Sequence, residues 1–342
     1  MANELDVSAS TARPAPEAPP QPAPSGTGGA RAVFSHLIRR REASIFLALV
    51  IMIAVIGVIA PNFVSGSNLF QVSRQVSFVA IVAIGQLFVI LHGGIDLSVG
   101  SVLSLAGMAA GYCMQLEINP VLAVMIGTVA GLIMGAINGA LVAFVRISPF
   151  ITTLGMLSFA SGMVLGLSKG WPITDIPESF QPIGQGSLFG LPIPVLIMLV
   201  IAVIAHIVLT STAFGRRTYA MGGNEQATFL SGINTSRIKF MLYVISAGCA
   251  SFAGIILVAR YNSGQPDAGK GAELDAIAAA VIGGTSLSGG AGSVLGVVIG
   301  ACIMGVLTNG LVLMEVSSYW QTAIIGVVIV LAAVLDRAKR RG

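Results

Sequence analysis

The sequence predicts an all-α polytopic membrane protein of about ten transmembrane helices, some broken or re-entrant, with both termini in the cytoplasm. Three observations predict it. Of 342 residues, 55% are apolar and only 9% charged, against about 25% charged in soluble domains. A mean hydropathy of +0.91 puts most of the chain in lipid. The basic residues, finally, gather in alternate loops. The three cysteines (Cys113, Cys249, Cys302) lie far apart in apolar stretches, without metal or disulfide spacing, and read as buried, inert thiols.

Residues 1–43 read as a cytoplasmic tail. Pro14, Pro16, Pro19, Pro20, Pro22 and Pro24 stand among Ala, Ser and Gly with no apolar core, so the segment cannot offset its ordering entropy and is expected to be disordered. A secretory signal would need an apolar stretch and a cleavage site here. The first apolar stretch instead follows Arg39, Arg40 and Arg41.

A transmembrane domain is expected over 44–336, followed by a basic tail at 337–342. A helix rises about 1.5 Å per residue, so about 20 apolar residues cross the hydrocarbon core. Apolar stretches fall near 44–60, 76–92, 99–116, 120–145, 150–168, 190–211, 240–259, 275–287, 293–313 and 318–336. The 275–287 stretch is short and fits a re-entrant or broken helix as well as a full span. With the N-terminus inside, the inner segments are 1–43, 92–98, 146–149, 212–239, 288–292 and the C-terminal tail. They hold all of the 18 Lys and Arg residues except Arg74, Lys169, Arg260 and Lys270. That bias is what the positive-inside rule requires. The pI near 9.2 is therefore a topology signal, with some attraction to anionic membrane lipid, and not a nucleic-acid footprint.

No G-x-x-x-x-G-K-[ST] phosphate loop, H-E-x-x-H helix or serine elbow occurs. Ionisable residues inside the spans are few: His92 and Asp96 border one turn, His206 lies in the sixth span and Asp275 opens the eighth. His206 reads as an interface or packing residue. Machines driven by protons or voltage need ionisable groups deep in the bundle, so energy for any transport is expected from another subunit.

Four stretches carry signal. In Gly93-Gly94-Ile95-Asp96-Leu97-Ser98-Val99-Gly100-Ser101, paired glycines permit a sharp break, and Asp96 or Ser98 can cap the next helix. The stretch reads equally as a capped turn or as a helix break beside a polar pathway. Gly283-Gly284-Thr285-Ser286-Leu287-Ser288-Gly289-Gly290-Ala291-Gly292-Ser293-Val294-Leu295 echoes it, as Asn309-Gly310 echoes Asn138-Gly139. The glycines at roughly every fourth residue before these pairs read first as close helix packing. The basic 212–239 loop contains Asn224, positioned to cap a short helix near 225–231 that Gly232 would stop. Ala227, Leu230 and Ile233 would give that helix an apolar face suited to a partner's groove. Last, Glu273 and Asp275 precede an alanine-rich helix, at its positive dipole end. That reads as capping, or as a site facing outward.

Together these stretches resemble the permease subunits of ribose-type ABC importers. The resemblance covers nearly the whole chain after residue 43 and is most specific in GGIDLSVGS at 93–101, AMGGNEQATFLSGIN at 220–234 and GAELDAIAAAVIGGTSLSGGAGSVLG at 271–296. It implies a multi-pass protein of the bacterial inner membrane that imports a ribose-type pentose, a hexose or a related small polyol. Two permease copies, taken as a homodimer, form the pore. Cytoplasmic ABC ATPase subunits hold ATP and Mg, this chain binding no cofactor itself. A periplasmic sugar-binding protein delivers the cargo to the outer loops. The 212–239 loop becomes the ATPase-coupling loop, with Gly222, Gly223, Asn224, Ala227, Ser231 and Gly232 matching the signature. Gln86, Asp96, Ser98, Asn138, Thr152, Thr153 and Asn309 are the pathway candidates, chosen from position and chemistry alone. A permease for an autoinducer-2-like signal or a branched-chain amino acid is the alternative, with an ion-coupled carrier behind it.

Overall fold

A computed structural model of the chain describes residues 41–339. Residues 1–40 and 340–342, most of the expected tails, lie outside the described residues. Each expected apolar stretch falls on a helix: α1 (Arg41–Ile59), α2 (Gly66–Leu91), α3 (Val99–Gln115), α4 (Pro120–Ala143), α5 (Pro149–Ser168), α7 (Ile193–Ser211), α10 (Thr235–Tyr261), α11 (Ala272–Ile282), α12 (Val294–Leu313) and α13 (Ser318–Lys339). Seven of these, namely α1, α2, α4, α5, α7, α10 and α12, are long and apolar enough to cross a membrane. The chain is thus a helical, multi-pass membrane protein. Short α6 (Pro182–Gln185), α8 (Ala213–Gly223) and α9 (Glu225–Leu230) lie between them, with a hairpin of β1 (Ser187–Leu188) and β2 (Leu191–Pro192) that the hydropathy pattern did not announce.

Starts and stops follow local chemistry. Pro120, Pro149 and Pro194 sit in first turns, where the missing N–H costs nothing. Ser65 and Asn119 accept from the backbone of α2 and α4. Helix α2 begins ten residues before the apolar stretch at 76–92, because its polar first turns are satisfied by protein. Asn68 and Asn309 exchange two hydrogen bonds of 2.9 and 3.0 Å.

Helices α2 and α10 form the centre. Helix α10 packs on α2, α3 and α4, and α2 packs on α11 and α12. The glycine rows do the packing expected of them. A Cβ on Gly139 would stand 2.8 Å from Phe240 O, and one on Gly127 or Gly135 would overlap α3 or α10. Likewise Gly296 and Gly300 lie against α11 backbone. In lipid, where burying apolar surface does not drive helices together, such close approach is what holds them. Helix α11, at 11 residues, spans about 16 Å, half a hydrocarbon core of about 30 Å. It is a half-helix, and Gly283 ends it.

One expectation is corrected and another narrowed. The cysteines are free and pack against the core, but are only half-buried. His206 is exposed on α7, which leaves the interface reading and removes the packing one.

Candidate functional site

The turn between α2 and α3 is not a surface loop. Asp96 is 1% exposed and bonds Ser246, near the middle of the 27-residue α10. Helix α3 therefore starts deep inside the bundle. The Asp96 carboxyl group accepts from Ser98 N at 2.9 Å, Ser98 Oγ at 2.6 Å and Ser246 Oγ at 3.2 Å. Asn138 Nδ2 donates to Ser98 Oγ at 2.9 Å. That assigns the hydroxyl proton, because an oxygen receiving from Asn138 must give its own hydrogen to Asp96. Gln86, with its amide turned to suit its neighbours, donates to Asp96 O at 3.2 Å and accepts from Asp96 N at 3.0 Å. Thr153 Oγ1 donates to Pro149 O at 2.9 Å and reaches Ile95 O at 3.3 Å.

Five of the seven pathway candidates therefore form one buried network: Gln86, Asp96, Ser98, Asn138 and Thr153. Thr152 is buried beside it, its hydroxyl without a partner among the described residues. Asn309 stands apart, paired with Asn68 at the opposite end of α2. The Asn138/Asn309 echo thus joins residues with unlike surroundings. Of the two proposed caps, Asp96 takes the N–H of Ser98, while the Ser98 side chain caps nothing.

The 212–239 loop folds into two short helices. Thr212 caps α8, accepting from Gly215 N at 3.2 Å. Asn224 caps α9, accepting from Ala227 N at 2.9 Å. Helix α9 ends at Leu230, and Gly232 turns the chain at φ +80°, a left-handed conformation that suits glycine. Ile233 packs inward, so the apolar face differs from the expected one. It is formed by Ala227 with Phe229 and Leu230, the last two 62% and 77% exposed. The i, i+3 pattern missed Phe229 because the helix is too short to keep one stripe. Lys239 of α10 bonds Glu225 of α9 at 2.6 Å.

Between α9 and the α4–α5 turn opens a cavity of about 700 Å³, lined by His92, Arg146, Ser148, Glu225, Phe229 and Lys239 among others. His92, just past the end of α2, packs edge-on to Tyr243 with ring centroids 5.7 Å apart. Burial first, and the charge on Lys239 second, push its imidazole down to about 4.

The glycine-rich stretches meet beside this cavity. Gly290 N donates to Leu91 O at 2.9 Å, and Tyr219 OH donates to Gly292 O at 2.8 Å. Ser293 caps α12, accepting from Gly296 N, and donates to Glu42 of α1. Among the described residues no group of three or more His, Cys, Asp or Glu is placed to hold a metal ion.

Comparison with known proteins decides the family. Residues 68–333 match the family described as "Branched-chain amino acid transport system / permease component". The chain belongs to this permease family. Ribose import permease proteins of Escherichia coli (strain K12) and Bacillus subtilis (strain 168) are 45% and 43% identical to it, over 87% and 86% of this chain and 94% and 92% of theirs. The xylose transport system permease protein of Escherichia coli (strain K12) is 35% identical, over 82% of this chain and 87% of its own. No solved structure matches the chain.

Proposed function

We infer that this chain is the permease subunit of a monosaccharide ABC importer, in which a separate ATPase supplies the energy. The similarity to ribose, allose and xylose permeases over most of both chains carries this reading. Those relatives favour a sugar over the branched-chain amino acid in the family's description.

The chain runs in the inner membrane with both ends in the cytoplasm, the half-helix α11 and the 283–293 turn together making the eighth of its ten passes, a topology supported by the concentration of Lys and Arg on one side. Helices α8 and α9 then face the cytoplasm. Helix α9 is the coupling helix: Asn224 starts it, Gly232 stops it, and Ala227, Phe229 and Leu230 enter a groove on the ATPase, with Ser231 at the rim. Burying Phe229 and Leu230 there contributes about 2 kcal/mol each. ATP and Mg stay on the partner. A periplasmic sugar-binding protein docks opposite.

A second, identical permease copy completes the pore. One face of α5 supports it: Gly155, Gly162 and Gly166 have no neighbour within 4 Å, an open row of the kind that packs against another helix. The Asp96 network fixes the break at the start of α3 and keeps the polar wall of the pathway in register. Gln86, Ser98, Asn138, Thr152 and Thr153 belong to that wall. Asn309 holds the opposite end of α2.

Gentle purification of the tagged chain from its native membrane tests the reading. An ATPase recovered in equal amount, with vanadate-sensitive hydrolysis, is expected. Its binding protein should retain ribose, allose or xylose and not leucine. Recovery of the chain alone, still moving sugar along an ion gradient, would replace the importer with a carrier.

A further inference from the structure

Two glycine pairs far apart in sequence, Gly222–Gly223 and Gly289–Gly290, meet the backbone of Leu91 and Gly93 at one point with no side chain between them. A Cβ on Gly222 would overlap Leu91 O and the N–H of Gly290. One on Gly289 would stand 2.9 Å from Leu91 O, 2.9 Å from Gly93 N and 3.1 Å from Gly222 O. One on Gly290 would stand 3.0 Å from Gly223 N. Gly289 and Gly290 take φ of +86° and +74°, so the 288–292 turn holds a left-handed path that side chains disfavour. The N–H of Gly290 then reaches Leu91 O, and Tyr219 of α8 closes the contact from the other side through Gly292 O.

We propose that this backbone-to-backbone contact is the joint through which α8 and α9 move both helix breaks, and that Tyr219 is the positioning residue that holds it shut. The proposal rests on the importer reading and says where the coupling loop delivers its motion.

The geometry argues for it at each step. Close-packed backbone has no rotamer to turn and little compressibility, so a shift of α8 is passed on and not absorbed. One branch runs through the 288–292 turn to Gly283, where a Cβ would stand 2.8 Å from Val297 N. There α11 ends against the first turn of α12. The other runs through Leu91 and Gly93 to Gly94, wedged between the His92 and Tyr243 rings. A Cβ on Gly94 would lie 2.6 Å from His92 Nε2 and 2.9 Å from Tyr243 OH. Two residues further stands Asp96 and the start of α3. Each branch is a chain of direct contacts, and such a chain carries coupling only if a perturbation at the joint changes the output.

The experiment uses the assembled importer in proteoliposomes, with its ATPase and binding protein, and whichever of ribose, allose and xylose that binding protein retains. The readout is sugar taken up per ATP hydrolysed. Tyr219→Phe keeps the ring and removes one hydrogen bond. The ratio should fall about fivefold, the size of one such bond, while ATPase recovery and hydrolysis without binding protein stay at the wild-type level. Gly290→Ala, strained at its φ, should lower it about tenfold or more. Because both act on one joint, the double variant should fall no lower than Gly290→Ala alone. If Gly290→Ala does not assemble, Tyr219→Phe alone decides. A wild-type ratio in Tyr219→Phe, or effects that multiply in the double variant, would overturn the joint while leaving the importer standing. A wild-type chain that recovers no ATPase would overturn both.

Discussion

Replacing Asp96 separates a structural carboxyl group from an incidental one. In Asp96→Ala, three donors lose their acceptor: Ser98 N, Ser98 Oγ and Ser246 Oγ. The two hydroxyls can turn toward backbone carbonyls, but Ser98 N is fixed by the first turn of α3. Leaving a buried donor unpaired costs about 1–3 kcal/mol, and the vacated volume adds about 1 kcal/mol. Asp96→Ala should therefore cost about 2–4 kcal/mol. Asp96→Asn should cost less than about 1 kcal/mol. Its Oδ1 still accepts both bonds from Ser98, and the Ser246 hydroxyl can reverse to accept from the new amide. Thermal unfolding of the detergent-purified protein, followed by reactivity of the half-buried cysteines, should rank wild type close to Asp96→Asn and well above Asp96→Ala. An alanine variant as stable as wild type would refute the reasoning, as would an asparagine variant as damaged as the alanine one.

Other predictions follow from single contacts. Asn309→Ala breaks the reciprocal pair with Asn68 and should cost about 1–3 kcal/mol, a loss that Asn309→Asp does not restore, read in the same melt. Gly135→Leu sets a side chain against Ala247 and the Tyr243 backbone and should abolish monodisperse expression, seen by size-exclusion chromatography. His92 is held neutral by burial and Lys239, so protonation is linked to unfolding. Stability should be level above about pH 6.5 and fall as the pH drops toward 4, where the unfolded chain takes up a proton that the folded one refuses. In His92→Gln that slope should be weaker. Phe229→Asp should release the ATPase during purification without altering the melt, because its side chain faces outward from α9.

The spans were legible because lipid and length leave few choices. Helix α5 begins and ends within a residue of its apolar stretch, since Pro149 starts it and Lys169 stops it in a left-handed turn. The start of α2 was hidden, because Asn68, Gln71 and Arg74 look like loop to any hydropathy window. Asn68 and Arg74 are held by protein there, Asn68 meeting Asn309 and Arg74 lying over Phe70 and donating to Gln185 O, while Gln71 is exposed. Helix α9 could be read from Asn224 and Gly232, whose capping roles are local. Helix α8 could not, its polar sequence needing the seat offered by Leu91 and Gly290. The site followed the same division. Asp96 and Ser98 announced a break, but Ser246, 150 positions away, has no marker in the sequence. The Phe189–Gly190 turn of the hairpin, both residues at positive φ, is masked in the sequence by the apolar run that leads into α7.

The most direct test of the account is uptake itself. Proteoliposomes holding this chain and its ATPase, given the binding protein outside and radiolabelled ribose, allose or xylose in turn, should accumulate at least one sugar only when ATP is supplied at the coupling-loop face, and not with Leu230→Asp. Accumulation without ATP that follows an imposed proton or sodium gradient would contradict the account.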